Sequence, residues 1–121
     1  MKRDWGLIRA ILQKIEEKES YGEALKPEAV DGYDVDLVSY HMLILDQAGL
    51  ITAHCRESTR TRRGGIYCVA SNLTWEGYEL LDKIRSDTVW NRVTGLLREK
   101  SLDFSYDTIK LAAMKVIHNI L

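Results

Sequence analysis

Three observations predict a mainly helical α+β fold for this 121-residue chain. An apolar segment with helical spacing stops at Ala48-Gly49-Leu50-Ile51, where glycine supplies the left-handed conformation that helix ends often take. Two alternating segments then flank a loop rich in arginine and closed by Gly64-Gly65, which is the pattern of a β-hairpin. Finally, Leu73-Thr74-Trp75-Glu76-Gly77 opens another helix, with Thr74 able to accept from its free amides and Glu76 at the positive end of its dipole. A helix, a two-stranded β-hairpin wing and a capped helix in that order make a winged helix. Additional C-terminal helices complete one domain over residues 1–121.

The first helix is expected over residues 4–18, capped by Asp4, because Leu7, Ile8, Ile11, Leu12 and Ile15 fall on one stripe. Residues 20–33 contain Gly22, Pro27 and Gly32 and read as a connection with one short turn around 28–30. A helix over residues 35–48 follows, with Asp34 as its cap. Val38, Met42, Leu45 and Ala48 are assigned to the core, and Ser39, Tyr40, Leu43, Asp46 and Gln47 to the outer face, with Ile44 on the flank. The wing occupies about 50–71, as strands 50–55 and 66–71. In the next helix Gly77, Leu81 and Ile84 share a face, glycine allowing close approach to whatever packs beneath.

Two further helices are predicted. The first, over about 87–98, buries Val89, Trp90, Val93, Leu96 and Leu97; the second, over about 106–120, buries Ile109, Ala112, Ala113, Val116, Ile117 and Ile120. Trp75 and Trp90 are expected to be core anchors.

The content of 45% apolar and 29% charged residues is that of a globular domain large enough to bury a core of its own. No apolar run approaches the roughly 20 residues that span a bilayer. Met1-Lys2-Arg3-Asp4-Trp5 leads into a pattern carrying Arg9, Lys14, Glu16 and Glu17 rather than into a signal region, so a cytoplasmic protein without membrane contact is expected. Cys55 and Cys68 sit on opposite strands of the hairpin, where a bridge is geometrically conceivable; a reducing compartment favours free, inert thiols. No metal and no cofactor are expected, since the chain lacks Cys-x-x-Cys and His-x-x-x-His pairs and His54 and Cys55 point to opposite faces of a strand.

Several motifs carry a resemblance. The chain opens Met1-Lys2-Arg3-Asp4 with Leu7-Ile8-Arg9, carries Tyr40-His41, Ala48-Gly49-Leu50-Ile51 and Leu73-Thr74-Trp75-Glu76-Gly77, and continues with Ile84-Arg85 and Asp87-Thr88-Val89-Trp90. In these features it resembles a family of small bacterial and phage proteins known only as a domain of unknown function. The resemblance covers most of the chain up to Trp90 and implies a winged-helix-like fold and a bacteriophage or mobile-element origin; it implies no activity. The Ala-Gly-Leu-Ile and Leu-Thr-x-x-Gly pieces are also similar to those of winged-helix transcription regulators, at the level of fold.

Charge is unevenly laid out behind a net value of −1. Residues 28–47 hold Glu28, Asp31, Asp34, Asp36 and Asp46 and no lysine or arginine, whereas residues 56–63 hold Arg56, Arg60, Arg62 and Arg63 against Glu57 alone. In regulators of the resembled kind the helix before Ala-Gly-Leu-Ile enters the major groove. Here its outer face is acidic and apolar, and Gln47 and Ser39 alone offer base-reading chemistry. The wing arginines, beside the flexible Gly64-Gly65, suit phosphates or a minor groove.

A non-enzymatic regulatory protein is therefore expected, binding nucleic acid through Arg56, Arg60, Arg62 and Arg63 with Gln47. The alternative is a protein-protein interaction module, a phage-type inhibitor or adaptor of a host complex, that docks through Tyr40, Leu43 and Ile44, while the stripe from Ile109 to Ile120 serves either the internal core or a homodimer contact. No catalytic residue and no small-molecule substrate are assigned. His41, His54 and His118 are scattered, no serine or cysteine lies in a nucleophile motif, and Gly64-Gly65 lacks the lysine and helix start of a phosphate loop.

Overall fold

A computed structural model describes residues 1–59 and 64–121. It is α+β and mainly helical, with five α-helices and a two-stranded antiparallel hairpin: α1 (Trp5–Glu16), a 3₁₀ turn (Pro27–Ala29), α2 (Val35–Gln47), β1 (Ile51–Ser58), β2 (Gly65–Leu73), α3 (Trp75–Ile84), α4 (Asp87–Glu99) and α5 (Tyr106–Ile120). The chain divides into two compact units, Met1–Tyr78 and Glu79–Leu121.

In the first unit α1 starts where the Asp4 side chain accepts from the Leu7 amide. Its expected stripe, Leu7, Ile8, Ile11, Leu12 and Ile15, is buried, together with Trp5. The helix ends at Glu16, two residues short of the expected 18. The stretch after it contributes one tie to the sheet, as Leu25 and Ala70 exchange both backbone hydrogen bonds, at 2.8 and 2.9 Å, on the side of β2 away from β1.

Helix α2 packs against both strands of the hairpin. Its buried arc is accordingly wider than one stripe and takes in Val38, Ser39, His41, Met42 and Leu45. Ser39 is thus not on the outer face where helical spacing had placed it; its hydroxyl accepts from the Cys68 amide of β2 at 3.0 Å. Ala48, assigned to the core, is exposed as the C-cap residue. Asp34 occupies the N-cap position but makes no capping side-chain bond.

The end of α2 is a Schellman motif, with Gly49 at φ +76°, its amide donating to Asp46 and the Leu50 amide to Leu45. The motif turns the chain into β1. Thr74 Oγ1 donates to the Gly49 carbonyl at 2.6 Å and accepts from the Gly77 amide at 3.1 Å, so the start of α3 is fastened to the end of α2.

The hairpin is longer than the apolar alternation predicts. β1 and β2 pair from Ile51↔Leu73 to Ser58↔Gly65, with a bulge after Thr52 that leaves Ser71 unmatched. Alternation ends near Cys55 because Arg56, Glu57 and Ser58 are polar, whereas the ladder is a backbone interaction and continues past them.

In the second unit α4 and α5 pack on each other. Ser86 and Ser105 cap them, accepting from the amides of Val89 and Thr108. Val89, Val93, Thr94 and Leu97 of α4 and Ile109, Ala112, Ala113 and Val116 of α5 are buried, as are Leu80, Leu81 and Ile84 of α3. Ile120, expected in the core, is 50% exposed in the last turn of α5. Trp75 is not a core anchor: it is 76% exposed at the first position of α3, a turn ahead of the residues that bury that helix.

Candidate functional site

The family-like motifs meet in the fold, and what they build is framework. His41 is fully buried on α2; its Nε2 accepts from the Asp4 amide at 2.8 Å and its Nδ1 donates to the Leu37 carbonyl at 2.9 Å. Both ring nitrogens are thus engaged by backbone, which fixes the neutral ring as the Nδ1–H tautomer and joins the Met-Lys-Arg-Asp opening to the Tyr-His pair. Tyr33 stands beside the same helix start, and burial, reinforced by the charge of Asp4, raises its phenol above the usual tyrosine value. Ala-Gly-Leu-Ile and Leu-Thr-Trp-Glu-Gly are tied by the Thr74 bonds and by the close seat of Gly77 on Leu50.

The expected nucleic-acid residues separate into three groups. Arg56 is exposed on β1 opposite Tyr67, with its guanidinium carbon 5.4 Å from the Tyr67 ring centroid. Tyr67 in turn donates its hydroxyl to Glu28 Oε2 at 3.0 Å. The arginine is therefore held by a ring that is itself anchored. Arg60, Arg62 and Arg63 lie outside the described residues, between the hairpin ends at Thr59 and Gly64. Gln47 is exposed as the last residue of α2.

Asp46 and Gln47 are the exposed residues of α2, and Asp46 accepts from the Ala53 amide at 3.1 Å, supporting the start of β1. Tyr40, Leu43 and Ile44, the expected partner-binding residues, are half-buried. Near the helix start, a groove of about 600 Å³ runs between α2 and the hairpin, lined by Val35, Leu37 and Tyr67 and by the acids Glu28, Asp34 and Asp36. These acids favour the positive end of the α2 dipole and repel a phosphate backbone laid along the helix.

The cysteines overturn the expectation of free thiols. Cys55 and Cys68 are bonded across the hairpin, with Cα atoms 4.1 Å apart. The Cys68 amide goes to Ser39 rather than to the opposite strand, as at the non-hydrogen-bonded positions of an antiparallel ladder, where facing side chains come closest. Opposed placement on two strands was the available signal; a presumed compartment weighed against it. Tyr67 and Glu28 were not singled out from the sequence either, because their meeting depends on a strand register that extends past the apolar alternation.

Among the described residues no group of three or more His, Cys, Asp or Glu side chains could hold a metal ion, and no helix is long and apolar enough to cross a membrane. No solved structure matches the chain significantly. An uncharacterized protein of Haemophilus influenzae is 45% identical over 121 residues, covering 100% of this chain and 99% of its own length. Residues 2–103 match the family described as hypothetical protein (DUF2513). On that match, and on a relative that aligns along its whole length, the chain belongs to the DUF2513 family.

Proposed function

We propose that this protein is a non-enzymatic regulatory protein of winged-helix type that grips nucleic acid through its arginine hairpin, without base reading by α2. The order α1, Leu25 bridge, 3₁₀ turn, α2, β1, β2 supports the winged-helix reading, with the 3₁₀ turn standing where a helix-turn-helix has its first helix. The observation that carries the function is the display of Arg56. It stands exposed against an anchored aromatic ring, four residues before Arg60 in sequence, while the exposed residues of α2 are Asp46 and Gln47 and the rest are half-buried or buried.

Guanidinium groups gathered in this part of the sequence suit phosphate oxygens, and a grip on phosphates positions without specifying sequence. Fluorescence anisotropy on two short duplexes of unrelated sequence tests the reading. Equal affinity for both, abolished by replacing Arg60, Arg62 and Arg63 together with alanine, is expected; strong preference for one duplex that survives the triple replacement refutes it.

A second reading, a protein-binding module, draws on Leu111 and Met114, which are 67% and 52% exposed three residues apart on α5, and on the remaining surface of Tyr40, Leu43 and Ile44. Indifference to both duplexes, with a host partner lost on Tyr40→Ala or Leu43→Ala, is its outcome.

A further inference from the structure

Helix α5 carries apolar side chains on two opposite sides. On one, Ile109, Ala112, Ala113 and Val116 are buried where α5 packs on α4. The stripe that the sequence left between core and homodimer contact therefore belongs, from Ile109 to Val116, to the core. At 3.6 residues per turn, Asp107, Leu111, Met114 and His118 fall together on the other side of the helix, and all four are exposed. Leu111 and Met114, in the middle of that face, are each more than half exposed. Spacings of four, three and four residues are those of a seam along which two helices pair.

We infer that this outer face of α5 is a self-association surface on which a second copy of the chain lies antiparallel. The four residues select both the occupant and its direction. In a parallel pair each residue meets its own counterpart, aspartate against aspartate and histidine against histidine. In an antiparallel pair whose two-fold axis passes between residues 112 and 113, Leu111 lies level with Met114 of the second copy, and Asp107 level with His118 of the second copy. The face is then complementary to itself. Leucine-methionine contacts form its centre, and at each end an imidazole N–H donates to a carboxylate.

The flanks agree with that direction. Lys110, whose Nζ stands 4.8 Å from the Tyr106 ring centroid, and Lys115 lie on opposite edges of the face. Antiparallel pairing sets Lys110 beside Ile117 of the second copy and Lys115 beside Thr108 of the second copy, so lysine does not meet lysine. The 15 residues of α5 make a helix about 22 Å long, and one such pair buries less than the roughly 1,200 Å² at the low end of stable interfaces. The dimer is accordingly a weak one, with a dissociation constant on the order of micromolar or above.

The inference stands apart from the nucleic-acid reading, and its test uses no duplex. Sedimentation velocity of the full chain from about 1 μM to about 1 mM should show a monomer–dimer equilibrium. Leu111→Glu, at an exposed position, should hold the chain monomeric over that range with its urea midpoint at low concentration unchanged; Leu111→Gln, which adds no charge, replaces it if the midpoint falls. His118→Asp sets two carboxylates against each other in the pair and should weaken association at least about tenfold, and Asp107→His, which leaves imidazole against imidazole, should weaken it too. Made together, the two replacements exchange the paired groups, so the double variant should associate within about threefold of the native chain. A monomer at every concentration overturns the inference and leaves the face to a different protein. A dimer that survives loss of Leu111, or one that the double variant fails to restore, overturns it as well.

Discussion

A methyl group added at Gly77 would sit 2.0 Å from the Leu50 carbonyl oxygen, far inside contact distance and against backbone rather than a movable side chain. Gly77→Ala should therefore force α3 away from the end of α2 and cost about 3 kcal/mol of stability, read as a lowered urea midpoint at unchanged slope. The position was identifiable from sequence as a close approach, since a glycine one turn after a capping Thr74 has little other reason to be there. Ser39 was not, because period 3.6 fixes direction around a helix and not the width of the surface that covers it.

Tyr33 offers a test of a different kind. Its phenol titrates above the usual value because burial, and then the negative Asp4, disfavour the charged form. Above about pH 10 the unfolded chain gives up this proton before the folded chain does, so the folded state binds more protons and stability falls as pH rises through that window. Tyr33→Phe should flatten the loss between neutral and alkaline urea midpoints, whereas an unchanged slope would remove Tyr33 from the account.

The helix ends are where local sequence speaks most clearly. Asp4, Thr74, Ser86 and Ser105 each accept from the amide three residues on, and the boundaries they mark were legible to within a residue. The end of α4 shows the same logic under strain. It closes by a Schellman motif in which Ser101 takes φ 54°, with the Leu102 amide donating to Leu97 at 2.9 Å. Glycine suits that conformation better, so Ser101→Gly should raise stability by about 0.5–1 kcal/mol, visible as a higher melting temperature. The far half of the hairpin and the disulfide were less legible. Both follow from strand register, which is set by the bulge at Thr52/Ala53 and the clamp of α2 rather than by any apolar pattern in residues 56–58.

At the scale of the whole molecule, a net charge of −1 and a pI near 6.3 are not those of a polyanion-binding protein, but the charge is unevenly distributed. Acids gather around the start of α2 and its groove, and arginines gather in the hairpin. On the proposed function a duplex is repelled by the acids of that groove and drawn to the hairpin arginines. The candidate site was thus half legible: its cationic residues stand in the sequence, while the Tyr67 and Glu28 support behind Arg56 needed the fold.

The salt dependence of duplex binding tests this most directly. Four phosphate contacts predict a slope of about −3.6 for log association constant against log salt, falling in magnitude by about one unit in Arg56→Ala, with Gln47→Ala unchanged. A slope near zero, or a loss of affinity confined to Gln47→Ala, would contradict the account.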